Sequence, residues 1–202
     1  MPTSWMLTRL KRNAQSEHVA ANIDRLSLLH VEAELARYRD YLIRIYGFEA
    51  PVEAALAATP GLDTVVDLGA RSHLKMLRTD LAALGMPDVS GIRQCRNIPT
   101  HFTSVGEALG WIYVIEHNAT LHGQVRRHLH KRIGAQHDSY LLAGERSGST
   151  RVQELGAVLD RFAREPDTAR QVVEAVKLAF RRQRQWFTQA MPPGDIRPTR
   201  VA

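Results

Sequence analysis

Apolar residues along this chain recur at helical spacing, not in alternation. Between Glu107 and Leu129, the residues Leu109, Ile112, Ile115, Ala119, Leu121, Val125 and Leu129 follow one helical face, which predicts a buried central helix. In its middle, His117, Asn118, Thr120, His122 and Gly123 interrupt the apolar surface. A core does not keep polar side chains in mid-helix without partners or a ligand to satisfy them. A functional site is therefore expected in this segment. A glycine such as Gly123 costs on the order of 1 kcal/mol against alanine in a helix interior. Close approach of something flat to the backbone would offset that cost.

The other segments follow the same period. From Trp5 to Asn22, Leu7, Leu10, Ala14, His18 and Ala21 share a stripe, so His18 is expected to face inward. Taken alone, a histidine on an apolar face reads more readily as a hydrogen-bonded core residue than as a ligand. Leu35 to Ala58 carries Tyr38, Tyr41, Leu42, Ile45, Phe48, Val52 and Leu56 before Pro60 and Gly61, with Gly47 and Pro51 as points of bending or division. Leu62 to Gly69 suits a short strand or a helix; nothing else offers a strand to pair with it, so helix is expected. Arg71 to Leu84 is a helix stopped by Gly85, and Met86 to Thr103, containing Cys95, is a long connection.

Gly134 to Thr150 is polar and glycine-bearing and is expected to be a connection, with SYLLAG as one helical turn inside it. Val152, Leu155, Leu159 and Phe162 mark a helix ended by Pro166. Asp167 then caps a last helix with Val172, Val176, Ala179, Phe180, Gln183 and Phe187 on its buried stripe, ended by Pro192, Pro193 and Gly194. The sum is an all-α single domain over residues 1–191 with a flexible tail at 192–202. Inward histidines on the first and central helices match the way helical bundles build cofactor sites from facing helices.

Composition narrows the function classes. With 202 residues, 44% of them hydrophobic, the chain can bury one sizeable core. No apolar run reaches the roughly 18 residues of a membrane span, so a cytoplasmic protein with no membrane contact is expected. Cys95 is the single cysteine, which excludes an intrachain disulfide and fits a reducing compartment. The net charge of +6 points to an acidic partner: nucleic acid, an anionic cofactor or an acidic protein. Aromatic residues are only 6% and do not interleave with the basic clusters at Arg9–Arg12, Arg126–Arg132 and Arg181–Arg184, so no nucleic-acid partner is expected. No zinc signature, nucleophile elbow, phosphate loop or dinucleotide fingerprint is present. His117 and His122 point different ways on a regular helix, His73 has no apparent partner, and His128 and His130 sit among arginines, where solvent is expected.

Several motifs carry a resemblance. LKRNAQSEH, Leu10 to His18, resembles the proximal-helix motif of heme oxygenases, in which a leucine and a basic residue precede the iron-ligating histidine. ALGWIYVIE, Ala108 to Glu116, followed by HGQV, His122 to Val125, resembles the distal helix of the bacterial biliverdin-producing, phytochrome-associated branch. YRDYLIRIYGFEAPVEAAL, RSHLKMLRTDLAALG and AFRRQRQWF are also similar, so the resemblance spans nearly the whole chain.

It implies a heme oxygenase-like helical bundle with heme between the N-terminal (proximal) and central (distal) helices. His18 would ligate iron, Lys11 and Tyr113 would face the propionates, and His117 would lie beside the heme. The implied reaction cleaves heme, at once cofactor and substrate, to biliverdin, carbon monoxide and iron. It uses O2 and an electron donor such as ferredoxin or a reductase.

The distal positions depart from that pattern. Of the glycines expected over the heme only Gly123 remains, Asn118 and His122 take the others, and Ala119 replaces an aspartate. Asn118, His122 and Gly123 are thus the candidate catalytic positions. If His122 or His117 lies over the iron as a sixth ligand, the expectation becomes heme binding or sensing without turnover. If these side chains fill the pocket, heme is lost and a helical protein remains. Thiaminase-like proteins share a similar architecture, but their cysteine nucleophile has no counterpart, since Cys95 lies in an expected loop.

Overall fold

The computed structural model describes residues 4–27, 35–133 and 137–190. These form eight α-helices: α1 (Trp5–Asn13), α2 (Gln15–Ser27), α3 (Leu35–Ala57), α4 (Leu74–Ala83), α5 (Val105–Ala119), α6 (His122–Ile133), α7 (Ser139–Phe162) and α8 (Pro166–Thr188). No strand occurs among the described residues, and the fold is an all-α single-domain bundle. No described helix is long and apolar enough to cross a membrane. The expected tail at 192–202 lies outside the described residues.

The core forms around α5. Its buried set runs from Gly106 to Ala119 with few gaps, because α5 packs against α8, α7 and α3 together. α1 starts at Ser4, whose hydroxyl accepts the Leu7 N–H at 3.1 Å and donates to Asp160 Oδ1 at 2.8 Å. Ser4→Ala should destabilise the fold by about 1 kcal/mol, the usual size of a lost N-cap, as a shift in the urea midpoint.

Four expectations need correction. The Trp5–Asn22 helix is two helices: Ala14 leaves helical geometry at φ −118° and ψ 18°, while its N–H still reaches the Leu10 carbonyl at 2.9 Å. Leu62 to Gly69 is a chain of turns leading to a short 3-10 helix at Gly69–Arg71. Thr64 Oγ1 bonds the Gly61 carbonyl and Asp67 Oδ1 accepts the Ala70 N–H, local side-chain bonds that compete with a helix.

Gly134 to Thr150 is not mostly connection, since α7 begins at Ser139 and runs unbroken through the stretch. Its start is held from α4: Asp80 accepts the N–H groups of Ser139 and Tyr140 at 3.1 and 2.9 Å. The polar residues beyond lie mainly on the outer face, with Tyr140, Leu141, Gly144 and Gly148 turned inward. Pro166 ends nothing: it is the first residue of α8, where its missing N–H is harmless, and the N-cap is Glu165, not Asp167.

Candidate functional site

The central helix expected over Glu107–Leu129 divides where its polar patch lies. α5 closes at Thr120, whose hydroxyl bonds the His117 carbonyl at 2.6 Å, and the Leu121 N–H reaches back to the Asn118 carbonyl at 3.2 Å. The Asn118 carbonyl also accepts Arg25 Nη1 at 3.2 Å. These tighter bonds satisfy the ladder that a regular helix would have continued.

The break sends the predicted residues to two places. The first is a groove of about 390 Å³ between α1–α2 and α5, lined by Leu10, Lys11, His18, Tyr113, His117 and Phe180, among others. His117 Nε2 and His18 Nε2 are 2.6 Å apart across it, and Asn22 Nδ2 lies 2.7 Å from His18 Nε2. One of the two imidazoles donates and the other accepts, according to their tautomers. The two rings meet edge to face, Tyr113 stacks on His117 with centroids 5.4 Å apart, and Phe180 closes the inner end.

Burial, with Lys11 adding repulsion, lowers the His18 pKa. Burial, followed by His18, Arg25 and Lys11, lowers that of His117 to about 4. Both rings are thus neutral near pH 7, the form in which imidazole ligates metals. Lys11 is exposed on the groove's rim.

Asn118, His122 and Gly123 do not join this groove. Asn118 is buried against α8, its Nδ2 donating to Gln183 Oε1 at 2.7 Å. His122 is fully buried between α2 and α7, its Nε2 accepting Arg25 Nη2 at 3.2 Å and its ring set against Tyr140 and Gly144. Gly123 turns toward Glu145 on α7 and offers no flat surface to His18. The polar patch is therefore satisfied mainly from within the protein.

Its chief partner is Arg25, which the sequence reading missed. Arg25 is fully buried, with Tyr41 beneath its guanidinium at 5.7 Å. Nearby, Tyr140 donates to Glu49 Oε1 at 2.7 Å, and burial pushes the Glu49 carboxyl up to about 8. The signal was the stripe itself: continued by one turn, Ala14, His18 and Ala21 lead to Arg25.

His73, expected to lack a partner, is buried; its ring meets Arg151 and its N–H donates to Glu53 Oε1 at 3.1 Å. His130, expected in solvent, contacts Asp138 Oδ2 at 2.6 Å, although much of its side chain is exposed. Among the described residues, no group of three or more His, Cys, Asp or Glu side chains is placed to hold a metal ion. The chain matches no protein-family model, no curated protein and no solved structure.

The buried imidazoles make the fold acid-sensitive. His73 and His117 are both lowered from 6.5 to about 4, so between those values the unfolded chain binds protons that the folded chain refuses. Their contribution is present above pH 6.5 and is lost as pH falls through 4. Glu49, raised to about 8, acts in the opposite sense over part of this window, so the check is a difference: the loss of urea midpoint on acidification should be smaller in His117→Gln than in the parent.

Proposed function

We propose that this chain is a heme-binding protein in which His18 and His117 would hold the iron, and that it does not open the ring. The observation that carries the reading is the pair of neutral imidazoles meeting Nε2 to Nε2 at 2.6 Å across an apolar groove. The donor set suits iron, but the width does not suit it as it stands. Metal–imidazole bonds of about 2 Å each place two axial nitrogens about 4 Å apart. The groove therefore has to widen, which requires α2 to move against α8, where Glu17 and Asp24 pair with Arg181 and Arg184.

The residues divide the work by position. His18 would offer a lone pair from α2 and His117 one from α5, each as the tautomer with its proton on Nδ1. Lys11 places a cation at the rim for a propionate, and Tyr113 holds the His117 ring flat by stacking. When bound, heme supplies a redox-active iron whose behaviour its axial ligands set. With His18 and His117 both committed to holding the iron, and with Asn118, His122 and Gly123 engaged elsewhere, these residues would leave no side chain to position oxygen.

Hemin titration followed by absorption spectroscopy tests the proposal. A six-coordinate, low-spin spectrum is expected, turning five-coordinate in His117→Ala and losing saturable binding in His18→Ala. Ascorbate under air should leave the Soret band standing. Conversion to biliverdin would restore the oxygenase expectation instead. Absence of saturable binding would favour the reading in which Arg25 and His122 have filled the bundle and heme is lost.

A further inference from the structure

A second cavity lies on the other side of α5. It measures about 250 Å³ and sits between α3, α5 and the segment Leu68–Ser72, with Leu56, Leu68, Ile112 and Ile115 among its apolar walls. Three charged residues line it: Glu53, Arg71 and Glu116. Arg71 Nη1 donates to Glu116 Oε1 at 2.8 Å, and its Nη2 lies 3.8 Å from Glu154 Oε2 at the surface. Glu53 accepts the Ser72 hydroxyl at 2.6 Å and the His73 N–H at 3.1 Å. Glu116 Oε2 is left buried with no partner among the described residues, although the residue is only 1% exposed.

An unpartnered buried carboxylate oxygen in an apolar chamber is costly unless a donor comes to it. We infer that this cavity binds a small amine with an apolar body, its ammonium group donating to Glu116 Oε2 beside Glu53. Charge selects the class. Burial raises the carboxyls of Glu53 and Glu116 above their ordinary range, so an anion beside them would be opposed and an ammonium group would favour their charged form. Volume sets the size: a dry cavity of about 150 Å³ takes benzene. The larger chamber here therefore suits a molecule of on the order of ten non-hydrogen atoms, such as an aryl ring on a two-carbon ammonium arm.

The site shares no lining residue with the His18 groove and does not depend on the heme reading. The test is calorimetric titration of the full chain with 2-phenylethylamine, with 2-phenylethanol and 3-phenylpropanoate as the neutral and anionic counterparts. Saturable amine binding is expected, at least tenfold tighter than the alcohol, with no binding of the carboxylate. Glu116→Gln should weaken the amine at least tenfold and leave the alcohol unchanged. Ala57→Trp, at an exposed rim position, should block both ligands without disturbing the core, and it decides the matter if Glu116→Gln fails to fold. No saturable amine binding, an alcohol that binds equally well, or amine affinity unchanged in Ala57→Trp would overturn the inference.

Discussion

Arg25→Ala should destabilise the protein by about 3–5 kcal/mol, because it strips the donor from two buried acceptors and empties a large, fully buried site. Arg25 meets the Asn118 carbonyl and His122 Nε2, both at 3.2 Å, and covers the Tyr41 ring. Without it, two buried acceptors lose a charged donor, and a cavity opens between α2, α5 and α6. Arg25→Met separates these effects. It refills much of the space and removes the charge, and should recover about half of the loss. For a chain of this length about 1 kcal/mol moves Tm by roughly 2–4 °C, so the alanine variant should melt roughly 6–20 °C below the parent. Equal losses in the two variants would show that the hydrogen bonds dominate, and the cavity very little.

Gly144→Ala should be nearly as damaging, about 3 kcal/mol, and the damage should depend on His122. A methyl group at Gly144 would overlap the His122 ring, which is enclosed by Arg25 and Tyr140 and has no free direction to move. Overpacking of this kind ordinarily costs about 1–3 kcal/mol, and the rigidity of the ring places it at the upper end. In a His122→Ala background the same change should cost less than about 1 kcal/mol, because the obstacle has gone. Urea denaturation of the four proteins of the cycle measures the difference. Additive costs would mean that the ring can move after all.

What could be read from the sequence depended on whether a residue's partner was near or far along the chain. The buried stripe of α8, from Val172 to Phe187, and the stop of α4 at Gly85, whose φ is +86°, follow from local rules and emerge as expected. α7 does not, because the carboxylate that anchors its start is Asp80, 59 residues earlier than Ser139. The Ala14 break and the end of α5 at Thr120 likewise depend on where distant side chains pull the backbone. Among the candidate residues, His18, Lys11, Tyr113 and His117 line one groove. His122 and Gly123 do not face it, since the break after Thr120 turns α6 toward α7, and Asn118, one residue after His117 on α5, points to α8 instead. Periodicity assumes that the helix continues; nothing in the apolar spacing marks the point where Arg25 takes its carbonyl.

The first helix is seated on one of the last. Ser4 Oγ and the Met6 N–H both bond Asp160 Oδ1, at 2.8 and 2.9 Å, and α2 lies along α8 with Glu17 and Asp24 paired to Arg181 and Arg184. Translation delivers these partners in the opposite order from their assembly. At ribosomal rates of about 5–20 residues per second, α1 and α2 emerge roughly ten to thirty seconds before the surfaces that receive them. For that interval the nascent amino-terminal segment carries Met6, Leu10 and Ala21 with no core to bury them in. Capture by a chaperone therefore has its opportunity in the interval before α8 is made.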